Sequence, residues 1–226
     1  LSFPKKFDLY DFNIDPLRQL LFSITDKTSK KSVVITLPNV KGELEQFEMF
    51  EASNFEPALQ AQFPEIRAYS GKGITDKYAT VKLSISPQGI QTMVFRTDKE
   101  NEFMEPYSQD GKVYAVFNSH REKGKLAWSC STDDKNMIKE VKRQLPNTNR
   151  SSTGQLKTMR LAQSCNGEYA AYFGASTAGT AADQAKVLAA FNATLTRCNG
   201  VYETDLALHL NLVASTVNVI FYNPAT

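Results

Sequence analysis

The chain predicts an α+β architecture, a β-rich first half followed by a strand–helix–strand unit, and three observations point that way. Residues 79–86 (ATVKLSIS) alternate apolar and polar at period two, the pattern of a half-buried strand. Residues 181–198 (AADQAKVLAAFNATLTRC) carry Val187, Leu188, Phe191 and Leu195 at helical spacing. Between these regions lies a stretch rich in Asn, Ser, Thr, Gly and Pro, which has the composition of a linker.

In chain order, a first short helix is expected from Asp15, with Pro16 at its first position and Leu17, Leu20 and Leu21 on one face. Residues 32–37 (SVVITL) are β-branched and bounded by Lys31 and Pro38, and they read as a strand. Residues 43–52 (ELEQFEMFEA) set Leu44, Phe47 and Phe50 among charges, a pattern between strand and helix. A second helix should begin at Glu56-Pro57 and stop by Pro64. After the strand at 79–86, Pro87-Gln88-Gly89 reads as a tight turn into a partner strand at 90–96. Val81, Leu83, Ile85, Met93, Val94 and Phe95 are the expected core of this half. A further strand is expected at 113–117. The charged and then polar run at 131–156 marks a boundary between a domain at 1–130 and a second at 157–226.

Past the boundary, residues 157–165 (KTMRLAQSC) should form a strand and 171–180 a loop. The helix at 181–198 should close at Asn199-Gly200. Strands are then expected at 206–213 and 217–222. A strand–helix–strand connection of this length implies a parallel pair with a right-handed crossover. One such unit cannot cover both faces of its sheet, so the second domain is expected to be incomplete.

Composition narrows the function classes. The chain has 226 residues, 42% hydrophobic and 11% aromatic, which supports real cores. The net charge of +2 gives no reason to expect nucleic acid or an anionic membrane as partner. No apolar run approaches the roughly 18–20 residues of a membrane span. The first residues, LSFPKKFDLYDF, lack the apolar stretch of a signal peptide, and a start without Met implies a lost leader or trimming. Only two histidines occur, His120 and His209, far apart. The H-E-x-x-H spacing that puts two zinc-binding imidazoles on one helical face is absent. So are a G-x-S-x-G elbow and a phosphate-binding glycine loop. His209 alternates with Leu208 and Leu210 and is expected to be a polar-face or hydrogen-bonded histidine rather than a ligand. His120 lies in the charged run SHREKGK.

Several segments carry a family resemblance in order along the chain. They are MRLAQSCNGEYAAYFG at 159–174, TLTRCNGVYETDLALHLNLV at 194–213 and VIFYNPAT at 219–226. These resemble the start of the catalytic domain of reprolysin-like (M12B-type, metzincin) zinc peptidases from secreted bacterial precursors. The stretches FPEIRAYSGKGI at 63–74, ATVKLSISPQGIQTMV at 79–94 and MEPYS at 104–108 are similar to that family's pro-segments.

The resemblance implies a β-rich pro-domain, a linker with a processing site, and the first β-α-β of a catalytic domain. It implies a secreted or cell-surface zymogen whose pro-domain aids folding and keeps the enzyme latent. Zinc would belong to the full-length enzyme, with no cofactor in this chain. Its partners would be the remainder of the catalytic domain and, for the mature enzyme, protein substrates. The family's three zinc-binding histidines and catalytic glutamate have no counterparts here, so no catalytic residue is assigned.

Three cysteines are present: Cys130, Cys165 and Cys198. An odd number leaves at least one unpaired within the chain. Cys130, in WSCSTDD, has two readings. Related zymogens use a pro-segment thiolate as a fourth zinc ligand that displaces the attacking water; the other reading is a buried or bridged cysteine near Trp128. Cys165 and Cys198 form a candidate disulfide, provided their Cα atoms approach within about 7 Å. Arg150-Ser151 sits in the polar linker where a pro-segment would be cut. Asn149-Arg150-Ser151 and Asn192-Ala193-Thr194 match glycosylation sequons, both read as chance in a bacterial chain. The alternative to the zymogen is a non-enzymatic β-rich module that binds or inhibits a peptidase in trans.

Overall fold

Period-two alternation in the first half resolves into eight strands, all antiparallel. The structure is a computed structural model and describes residues 4–25, 31–118 and 154–224. The strands are β1 (Asp8–Asp11), β2 (Val33–Pro38), β3 (Leu44–Glu51), β4 (Arg67–Gly73), β5 (Thr80–Ser86), β6 (Gly89–Phe95), β7 (Glu102–Pro106) and β8 (Val113–Asn118). Their order is β1-β8-β7-β6-β5-β4-β3-β2, a meander whose first strand has moved to the far edge. Ser86 pairs with Gly89, so the hairpin expected over Pro87-Gln88-Gly89 turns on Pro87-Gln88 alone, with Gly89 already in β6.

Helix α1 (Ile14–Phe22) lies on one face. Asn13 caps it by accepting from the Asp15 amide at 3.1 Å. Leu17 and Leu21 are buried, but Leu20 is 45% exposed, so the expected three-leucine face reduces to two. At the helix C-terminus the buried Tyr69 hydroxyl donates to the Leu21 carbonyl at 2.9 Å, beside the longer bond that this carbonyl accepts from the Ile24 amide at 3.3 Å. Under α1 the core gathers Ile35, Phe47, Met49, Val81, Leu83, Ile85, Ile90, Val94 and Met104.

The sheet is strongly curled. Glu45 on β3 and Glu102 on β7 are four strands apart, about 19 Å on a flat sheet at ~4.8 Å per strand. Both nevertheless bind Nη2 of Arg96, at 2.7 and 3.2 Å, while Nη1 meets Asp76 at 3.0 Å. The sheet therefore closes into a half-barrel, with a buried arginine pinning its rim.

The second half begins with β9 (Lys157–Leu161), shorter than the expected strand at 157–165. A one-and-a-half-turn helix α2 (Pro57–Gln62) precedes it in the first half, as expected; α3 (Gly167–Tyr172) takes the start of what was expected to be loop. Helix α4 runs Ala181–Leu206, well past the predicted stop at Asn199-Gly200. Its end is set by Ala207, which takes the left-handed conformation with φ 51°. Thr180 and Asp183 form a capping box at its start. β10 (Leu208–Leu212) pairs with β9 in parallel, in line with the strand–helix–strand reading. The strand expected at 217–222 is instead a 3-10 turn (Ala214–Val219), followed by a single parallel bridge between Ile220 and Cys165.

Candidate functional site: the seam between the two halves

The expectation that β5 is half-buried fails in an informative way. Val81, Leu83 and Ile85 face α1, but Lys82 and Ser84 on the opposite face are buried too, at 6% and 5% exposure. Helix α4 covers that face. Met93 and Phe95 share the orientation of Lys82 and so line the α4 side rather than the α1 core. Gly200 explains why the helix does not stop there. A Cβ at Gly200 would lie 2.5 Å from the Phe95 ring and 3.0 Å from Lys82, so the missing side chain lets helix and sheet approach closely.

A second core lies at the seam. Phe55, Leu59, Phe63 and Ile66 from the first half pack with Val187, Leu188, Phe191, Leu195, Leu212 and Ile220. Burying each large apolar side chain of this kind contributes about 1.5–3 kcal/mol. The backbone joins as well. The Leu212 amide donates to the Asn54 carbonyl at 2.7 Å, and the Glu56 amide donates to the Leu212 carbonyl at 2.9 Å. On the opposite edge the Val213 amide donates to Leu161. Phe55 thus makes a single parallel bridge to Leu212 on the outer edge of β10.

Polar groups at the seam are paired across it. The Asn54 amide donates to Asn192 Oδ1 at 2.9 Å and to Thr196 Oγ1 at 2.8 Å. Its own Oδ1 accepts from Asn199 Nδ2 at 2.9 Å. Asn199 also exchanges bonds with the Leu210 backbone, at 2.8 and 2.9 Å. Asn192 donates to the Arg67 carbonyl at 2.9 Å. All four side chains are buried, so each amide meets the requirement that buried polar groups be bonded.

Charges follow the same pattern. Lys82 Nζ pairs with Glu203 Oε2, and Glu203 Oε1 meets His209 Nδ1 at 2.7 Å. His209 Nε2 faces the Ser53 carbonyl at 3.3 Å. Burial pushes the Glu203 carboxyl up, but its bonds to His209 and Lys82 outweigh this and hold it below the usual carboxylate range. Arg197 bonds Glu105 at 2.7 Å and sits over the Phe103 ring at 5.1 Å. Arg160 reaches Glu56 at 2.5 Å on the exposed side.

The residues singled out from the sequence divide accordingly. Cys130, Arg150, Ser151 and His120 lie outside the described residues. Cys165 and Cys198 are both free and half-buried, so the disulfide considered between them is not formed. Burial pushes the Cys165 thiol up, which disfavours the reactive thiolate. His209 is a bonded seam histidine. Asn192, in the second sequon, is 1% exposed with its amide engaged. Sequence reasoning missed Asn54, Lys82, Arg197 and Gly200. The heptad spacing of Asn192 and Asn199, on the helix that carries Val187, Leu188, Phe191 and Leu195, was the available signal.

Residues 155–226 match the model of the Metallo-peptidase family M12B Reprolysin-like. The match covers the segment that forms β9, α4 and β10, and it is that segment which is similar to the metallopeptidase family. A comparison with curated proteins returned no match. That family is zinc-dependent in general. Among the described residues, no three His, Cys, Asp or Glu side chains come together to hold a metal. Both nitrogens of His209 are already directed at oxygens. The described donors therefore do not fit a zinc site, and no hydrolytic step is assigned to them. No helix among the described residues is long and apolar enough to cross a membrane.

Proposed function

We propose that this chain is the N-terminal part of a secreted zinc metalloendopeptidase precursor, with the half-barrel as its pro-domain. The observation that carries the reading is the coincidence of two boundaries. The reprolysin-like match starts at residue 155, and there the chain begins the β-α-β unit that rests on the half-barrel. A β-α-β unit alone leaves apolar surface in water. Here the half-barrel and residues 54–66 supply the missing cover, which is what a folding aid must do. In this reading Arg150-Ser151 is the processing site and Cys130 the thiol that blocks the metal. Zinc, the catalytic residues and the substrate cleft belong to the remainder of the catalytic domain, and the precursor is exported to the bacterial cell surface or medium.

The test is a titration of the mature peptidase with residues 1–150, in wild-type form and as Cys130→Ala. Inhibition by the wild type with a weaker effect of the variant supports both roles. Equal inhibition keeps the pro-domain and removes Cys130 as a ligand. No inhibition by either refutes the latency role.

A further inference from the structure

We infer that the half-barrel is a non-covalent clamp on the edge of β10, with Asn54 as the latch that sets its register, so that cutting the chain within 131–156 leaves the halves joined. The inference goes beyond the precursor reading, because it holds whether or not the second half belongs to a peptidase.

The argument begins with strand pairing. Parallel addition of residues 54–56 to β10 supplies two backbone hydrogen bonds around Leu212. Backbone bonds are the same at every register, so they give adhesion without selectivity. Selectivity must come from side chains, and a slip of one residue would turn every side chain to the other face. Asn54 supplies it. Its amide is 2% exposed and uses both ends, donating to Asn192 and Thr196 and accepting from Asn199. These three partners sit at spacings of four and three along α4, so they form one stripe on the helix. A two-residue slip would put either Ala52 or Glu56 against this stripe. Ala52 would leave the buried Asn192 Oδ1 without its donor and take one bond each from Thr196 and Asn199, and Glu56 would bury a charge there. The observed register pairs Asn54 with all three residues of the stripe.

The remaining contacts supply holding force without passing through the connection at 131–156. The apolar core joins Phe55, Leu59, Phe63 and Ile66 to α4, and the Lys82–Glu203 and Arg197–Glu105 pairs bind the sheet to the same helix. The partner this surface fits is therefore specific in chemistry. It is a parallel strand edge backed by a helix that presents two asparagines and a threonine on one face.

The experiment uses the whole chain with a site-specific protease sequence placed within 131–156. After cutting, the halves should co-elute on size exclusion at about 1 µM. Asn54→Ala should raise their dissociation constant at least about tenfold, the scale of one or two lost buried hydrogen bonds. Arg160→Ala, which removes an exposed pair, should change it less than about threefold. Amide exchange on the uncut chain guards against a variant that does not fold. In Asn54→Ala the Leu212 and Glu56 amides should exchange faster while those of Val81 and Val94 stay protected. Separation of the cut wild-type halves at about 10 µM would overturn the clamp. Unchanged affinity and Leu212 exchange in Asn54→Ala, or loss of protection at Val81 and Val94 as well, would overturn the latch.

Discussion

Replacing Arg96 by methionine tests whether the half-barrel is closed by charge. The guanidinium is 1% exposed and faces three carboxylates: Glu45 at 2.7 Å, Asp76 at 3.0 Å and Glu102 at 3.2 Å. Methionine matches the bulk of the stem but leaves three acids facing one another. Removing one partner of a buried ion pair costs about 3–5 kcal/mol, because the remaining charge stays buried without compensation. At this chain length 1 kcal/mol shifts Tm by about 2–4 °C, so the variant should melt roughly 6–20 °C lower. Lysine should not rescue it, since an ammonium cannot reproduce the planar fork that serves both sides. The sign of the pH effect follows from Asp76. Burial raises its carboxyl, but bonds from the Tyr78 amide and Arg96 outweigh this and hold it below its ordinary value. A depressed carboxyl contributes stability above its ordinary pKa and loses it as pH falls through the folded value. The gap between wild type and Arg96→Met should therefore narrow in acid. Urea unfolding followed by far-UV circular dichroism at pH 7 and pH 3.5 reads both. A gap under about 1 kcal/mol at pH 7, where the loss should match a broken buried pair, would refute the reasoning. So would a gap that widens in acid.

Three further outcomes are expected. The Glu203 carboxyl is held below its ordinary range, so its contribution to the seam is present above about pH 4–5 and fades as pH falls. Exchange of the Leu212 amide should accelerate in acid beyond the intrinsic rate, and Glu203→Gln should remove much of that dependence. Thr180→Ala removes the side-chain half of the capping box and should lower stability by about 1 kcal/mol in thermal melts, with little change in total helix signal. Asn192 should carry no glycan when the folded chain is secreted from a glycosylating host, as peptide mass mapping would read; a modified Asn192 would mean that the seam opens before or during export.

The β5–β6 hairpin was legible because alternation and turn chemistry agreed, and the two strands pair antiparallel. β4 was not legible. Its sequence, RAYSGKG, looks like a loop, yet Gly71 is where Met49 Sδ and Val81 Cγ1 fill the space a Cβ would occupy, at 2.2 and 2.7 Å. β3 was ambiguous because Leu44, Phe47 and Phe50 follow helical spacing. The strand wins by sending Glu45, Phe47 and Met49 inward, with Glu45 buried against Arg96. The helix at 181–198 was correctly placed at its start, where the cap is local chemistry. Its end was misplaced because Gly200 serves packing against Phe95 rather than termination. The seam residues share one reason for being missed. Asn, Lys and Arg read as surface until a second element, distant in sequence, arrives to pair with them.

That distance in sequence has a kinetic consequence. Asn54 and Asn199 are 145 residues apart, whereas strands β2 to β8 lie in chain order in the sheet and all but β3 and β4 are joined by connections of a few residues. Contacts between near neighbours close small loops and form early, while long-range pairings wait on slower searches. Synthesis proceeds from the N-terminus, so most of the half-barrel can be complete before Leu212 leaves the ribosome. The late-arriving helix and parallel strands then meet a surface already shaped to receive them. A parallel pair is ordinarily a slow element to form. This one meets a bridging segment, residues 54–56, already held between β3 and β4 of the sheet.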